Sequence, residues 1–151
     1  MNYLRFSDVI TAIFLIVVSI VMSVRFYQFV INYTSDTLYQ DQWETYWLYV
    51  DRPNPYALFT FQYGPHRQGV GSLLSYTVAY ISRWNVKAEI LLNFIVQLTT
   101  LIIIFLLKWK LYRKWHTTDI FIPVITLSFR YYESFLIVPN LSHAVLPVFF
   151  S

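Results

Sequence analysis

Polar residues are sparse and clustered along this chain, and the intervals between clusters define its elements. Asp8 and Arg25 bracket sixteen residues, VITAIFLIVVSIVMSV, and the apolar run resumes past Arg25 as FYQFVI. A bilayer-crossing helix needs about 20 apolar residues. An arginine near its end can carry its charge to the interface while its stem stays among apolar groups. The pattern therefore predicts a first span over about 9–31. ILLNFIVQLTTLIIIFLL, residues 90–107, has no charged residue and predicts a second span over about 88–108. IFIPVITLSF after Asp119 predicts a shorter third span, about 118–134, and LSHAVLPVFFS the start of a fourth from about 141. Between the first two spans, about 32–87, aromatic and polar residues are mixed. The expected fold is all-α: a polytopic integral membrane protein of about three to four transmembrane helices, in a single membrane domain, whose large first outer loop contains interfacial helices.

A secretory signal would have a shorter apolar stretch and a small-residue cleavage site, whereas Arg25, Phe26 and Tyr27 follow this one. A retained anchor fits better. The chain ends inside an apolar run, AVLPVFFS, so it is expected to be the N-terminal portion of a longer protein.

Charge sets the orientation. The second span stops at KWKLYRKWH, where Lys108, Lys110, Arg113 and Lys114 alternate with Trp109, Tyr112 and Trp115. Cationic clusters beside a span mark the cytoplasmic side, and aromatic rings suit the headgroup level. The N-terminus is then cytoplasmic and the 32–87 loop faces out. A basic-aromatic patch can also bind nucleic acid, but placement hard against a span disfavours that partner. Composition agrees: 57% of the 151 residues are hydrophobic and only 13% charged, against about 25% charged in soluble domains. There is no cysteine, which excludes disulfides and thiolate metal sites. Phosphate-binding glycine loops and zinc-ligand spacings are missing from the sequence as well.

The outer loop is too rich in chemistry for a linker. In DTLYQDQWETYWLYV, Leu38, Trp43, Tyr46, Trp47 and Val50 recur at roughly helical intervals, as in a helix lying on a bilayer surface. Asp41 and Glu44, three apart, share one side of such a helix. Carboxylates there can act as a general base, hold a divalent cation or meet a cationic partner; a merely solvated polar face is the simpler alternative. Pro53 and Pro55 break this helix. GPHRQG then turns the chain, and SLLSYTVAYISRW is a short helix suited to the interface or a protein groove. Gly69 and Gly71 are expected to permit close backbone approach. Arg67 offers a planar fork of donors for phosphate, and His66 can move a proton or ligate a metal. The competing reading pairs Arg67 with Asp36 or Asp51 and leaves His66 as a capped loop residue. A third cluster, RYYESFLIVPNLSH, carries Arg130 and Glu133 one turn apart, then Pro139, Asn140 and His143. Ionisable residues at membrane depth are costly and point to function.

This layout resembles the N-terminal part of GT-C-type membrane glycosyltransferases, in particular the bacterial dolichyl-phosphate-mannose-like and lipid A glycosyltransferase-like group. DQW, Asp41 to Trp43, is similar to the acidic-Trp element of their first outer loop. GPHRQGVGSLL is similar to an EHR-like turn before a Leu-rich helix, with Pro65 where that turn often has glutamate. YYES is similar to a YEN-like element, with Ser134 in place of asparagine. The resemblance implies transfer of a sugar from a polyprenyl-phosphate donor to an acceptor on the non-cytoplasmic face of a bacterial inner membrane. Asp41, chosen over Asp36 and Glu44 for its position beside Trp43, would be the catalytic acid-base residue. His66, Arg67, Glu44, Glu133 and His143 would contribute to substrate binding. Some such enzymes use a divalent metal and others do not. The alternative is a non-catalytic multi-pass protein, a transporter component or assembly subunit.

Overall fold

The computed structural model of the chain describes residues 6–38, 42–128, 141, 145 and 146. The described chain is mostly helical. Helix α1, Phe6–Tyr33, and helix α5, Val86–Tyr112, are each long and apolar enough to cross a membrane. Between them lie α2 (Gln42–Val50), α3 (Pro55–Thr60), a two-residue strand pair and α4 (Gly69–Ile81). After α5 come a 3-10 turn over Thr117–Ile120 and α6, Phe121–Thr126. The expected third span begins here, and its remainder beyond residue 128 lies outside the described residues, as does most of the expected fourth.

Helices α1 and α5 run antiparallel. Phe26 stacks on Phe94 with ring centroids 5.3 Å apart, while Val30 shares a buried cluster with Val86 and Ile90 nearer the start of α5. Asp36, just past α1, accepts a hydrogen bond from the Val86 N–H at 3.0 Å. It thereby satisfies one of the four donors that a helix start leaves open. The hydroxyls of these apolar helices stay inside them. Ser19 donates to the Leu15 carbonyl, Thr34 to Val30 and Thr100 to Val96, each four residues back.

Much of α1 is exposed among the described residues. Only 11% of its most apolar eighteen-residue stretch is buried, against 33% for α5. Ile10, Ile13, Ile16, Val17, Ile20 and Val24 are all exposed. A folded protein in water rarely leaves so continuous an apolar surface open.

The connector packs on the first turns of α5. Tyr46 and Tyr49 of α2, Leu58 of α3 and Ile90 and Phe94 of α5 form one core with Phe26 and Val30. The prolines act as expected. Arg52 takes φ 49° as α2 ends, and Asn54 then starts α3, its side-chain oxygen accepting from the Ala57 N–H at 2.8 Å. Pro55 occupies the first helical position, where its missing N–H costs nothing. Two expectations need correction. The apolar and aromatic residues of α2 do not share one face: Gln42, Thr45, Tyr46 and Tyr49 turn inward, while Trp43, Trp47 and Val50 are exposed. Gly69 is not a point of close approach, since a Cβ there would meet nothing within 4 Å; its φ of +50° is what favours glycine.

Candidate functional site

The described residues include only part of the sequence-predicted set. Asp41, Glu133 and His143 lie outside the described residues. Glu44 is exposed on α2. His66 and Arg67 form one side of a tight hairpin, Tyr63 opposite His66 and Gln62 opposite Arg67. Gly64, at φ +55°, and Pro65 make its turn, the order that a two-residue hairpin loop with glycine first requires. The Gln62 amide donates to the Gly64 carbonyl at 3.0 Å, and the Gln68 N–H to Phe61 at 2.9 Å, so the turn is braced from both sides. Arg67 is exposed and makes no ion pair among the described residues. The pairing with Asp36 or Asp51 does not form: Asp36 is engaged on the start of α5, and Asp51 is exposed. The side chain of His66 is outside what is described.

What the fold does assemble is a buried polar junction where α2, α4 and α5 meet. Its centre is Glu89, in the first turn of α5 and 1% exposed. The Tyr46 hydroxyl, forty-three residues earlier, donates to Glu89 Oε1. Glu89 Oε2 is buried with no hydrogen-bond partner among the described residues, and so is Gln68 Nε2. Tyr49, beside Tyr46, reaches the Ser72 carbonyl at 3.4 Å. Burial pushes the Tyr49 hydroxyl up to about 12, with contacts to Ser72 and Ser75 pulling the other way. Tyr76 and Trp84 close the aromatic wall around it, with centroids 5.4 and 6.5 Å from the Tyr49 ring. Small residues make room: Gly71, Ser72, Ser75 and Ala79 are the buried side of α4. Chemically, the junction offers a buried carboxyl oxygen, Glu89 Oε2, still able to take part in a hydrogen bond. No group of three or more metal-ligating side chains occurs among the described residues.

Glu89 starts a polar stripe. Asn93, Gln97 and Thr100 follow at spacings of four, four and three, all buried on one side of α5. The Gln97 amide donates to the Thr126 carbonyl at 2.9 Å, at the end of α6. Sequence reasoning missed this stripe because it took the run from Ile90 onward as charge-free. The signal was present: the polar exceptions in an apolar run recur with helical period from Glu89.

At the other end of α5, Lys108 pairs with Asp119 at 3.1 Å. Asp119 also accepts from the His116 N–H at 2.8 Å, fixing the 3-10 turn.

No protein-family profile, curated protein or solved structure matches this chain.

Proposed function

We propose that the chain is an integral membrane protein in which α1 and α5 cross the bilayer, and that the connector between them serves sugar transfer from a polyprenyl-phosphate donor on the non-cytoplasmic face. The exposed apolar length of α1 carries the membrane reading, since lipid is the solvent such a surface needs. The antiparallel pairing supports the orientation. It runs the start of α1 toward the basic end of α5, and in this reading both lie on the cytoplasmic side. For the transfer reaction, the support is the resemblance described above together with the braced hairpin, on which Arg67 is exposed and makes no ion pair among the described residues. In this reading Asp41 activates the acceptor hydroxyl, and Arg67 with His66 grips the donor phosphate. Glu44, Glu133 and His143 complete the substrate contacts, and a divalent ion is a further candidate participant. The third and fourth spans belong to the same proposal.

The membrane arm is tested by washing membranes that contain the chain with alkaline carbonate; release into the supernatant would end it. The enzymatic arm is tested in the intact protein with Asp41→Asn, which should abolish transfer at unchanged expression. Full activity in that variant would remove Asp41 as the base. A non-catalytic membrane subunit is the second reading. It is favoured by the structural employment of Asp36, just past α1, and Glu89, in the first turn of α5, two acids engaged in holding helices together.

A further inference from the structure

The end of α5 and the turn after it carry four basic residues, and the fold neutralises one of them. Lys108 is engaged by Asp119 at 3.1 Å and sits 4.7 Å from the centre of the Tyr112 ring. Lys110, Arg113 and Lys114 are exposed, and no ion pair holds them among the described residues.

Their placement is fixed by the backbone and by rings. Arg113 adopts φ 51°, and its N–H donates to the Trp109 carbonyl at 3.0 Å, which stops the helix. The chain then reverses, and Trp115 stacks on Trp109 at 5.5 Å and 16°. Phe105 meets the Trp115 ring edge-on at 5.8 Å. Three uncompensated cations therefore ride on a short, ring-braced turn at the end of the apolar run. An indole pair lies on the side of that run, where glycerol and headgroups begin in a bilayer.

We propose that this turn is a binding site for the headgroup of an anionic phospholipid in the cytoplasmic leaflet. Lys110, Arg113 and Lys114 engage the phosphate, and the Trp109–Trp115 pair seats beside it at the interface. The inference rests on the membrane reading and is independent of the glycosyltransferase reading. The phosphates of the leaflet lie at the depth where the apolar helix ends, which is why lipid is favoured over a nucleic-acid partner.

The test uses the full chain in detergent with equal amounts of phosphatidylglycerol and phosphatidylcholine, and native mass spectrometry counts the lipid retained. The wild type should retain phosphatidylglycerol in preference. Each basic residue beside an anionic surface contributes about a fivefold factor. The triple variant Lys110→Gln, Arg113→Gln, Lys114→Gln should therefore lose most of that preference, about a hundredfold at the limit. A control with Arg52→Gln, Arg83→Gln and Lys87→Gln, three exposed cations outside this turn, should keep it. Equal retention of both lipids by the wild type, or equal loss in both variants, would overturn the proposal. Displacement of phosphatidylglycerol by soluble glycerol phosphate would also overturn it, assigning the site to a free phosphate. Stronger retention of a short RNA would do the same in favour of nucleic acid. Retention of the chain in carbonate-washed membranes together with no lipid preference would sink this inference and leave the membrane reading standing.

Discussion

At the Val86 end of α5, Glu89 takes its hydrogen bond from a neutral tyrosine forty-three residues away, inside a core built from α1, α2, α3 and α5. At the Tyr112 end, Lys108 meets Asp119 eleven residues on, charge against charge, across one turn of chain. The first end is closed by long-range partners and the second by local ones. A local pair forms whenever its short loop closes, whereas the Glu89 junction exists only when the whole connector is in place. The two ends should therefore fail differently: the Val86 end as a unit, the Tyr112 end by itself.

The strongest way to break this contrast is Tyr49→Ala. Tyr49 is fully buried in the core at the Val86 end. Emptying that volume should cost about 3–5 kcal/mol, read as a lower unfolding midpoint in detergent. Hydrogen exchange should rise across α2, α3 and α4 together and stay unchanged at 115–120. A rise confined to α2 would contradict the cooperative reading. Tyr46→Phe is next: it removes the donor from Glu89 and leaves a buried oxygen bare, at about 1–3 kcal/mol. Restoration of stability by adding Glu89→Leu would identify the cost as that bare oxygen.

Asp119→Ala is the counterpart at the Tyr112 end. It removes both the partner of Lys108 and the acceptor for the His116 N–H. A loss of about 1–2 kcal/mol is expected, with exchange rising only around the 3-10 turn. Combined with Tyr46→Phe the effects should add within about 0.5 kcal/mol; strong coupling would mean that the ends are not independent. Alkali should separate them too. The Tyr49 pKa is raised by burial from 10.0 to about 12, so the folded state binds its proton more tightly than the unfolded state does. The stability this supplies is fully present below pH 10 and is lost as pH rises through 12. Tyr49→Phe should flatten that slope relative to wild type in a melting series over this window. Smallest is Arg67→Ala, on an exposed hairpin, which should change stability by less than about 0.5 kcal/mol. In the proposed enzyme it should weaken use of the lipid-phosphate donor, and an unchanged donor dependence would count against phosphate gripping.

The parts legible in sequence follow the same divide. Both long helices could be read because composition alone decides them; expected bounds of 9–31 and 88–108 compare with Phe6–Tyr33 and Val86–Tyr112. The hairpin turn and the short helix after it were legible from Gly64, Pro65 and the run beginning at Ser72. The inward face of α2 was not. Spacing marked Trp43, Tyr46, Trp47 and Val50, yet of these the fold buries only Tyr46, together with Gln42, Thr45 and Tyr49, which no apolar pattern picks out. The periodic stripe from Glu89 was open to reading, but the pairing of Glu89 with Tyr46 was not, because no local pattern links the two. Asp36 looked like a candidate for catalysis or an ion pair, and its contact with the Val86 N–H could not be inferred from a separation of fifty residues.

That contact also bears on the order in which the protein can be made. Asp36 and Val86 tie together the two ends of the connector, and the floor on which the connector packs, Glu89, Ile90 and Phe94, belongs to α5. While the chain is being synthesised, residues 37–85 emerge before any of that floor exists. They must wait unfinished until α5 arrives and then fold in one step onto it. A nascent chain arrested before residue 86 would expose Tyr46 and Tyr49 to protease, and one arrested after α5 would protect them.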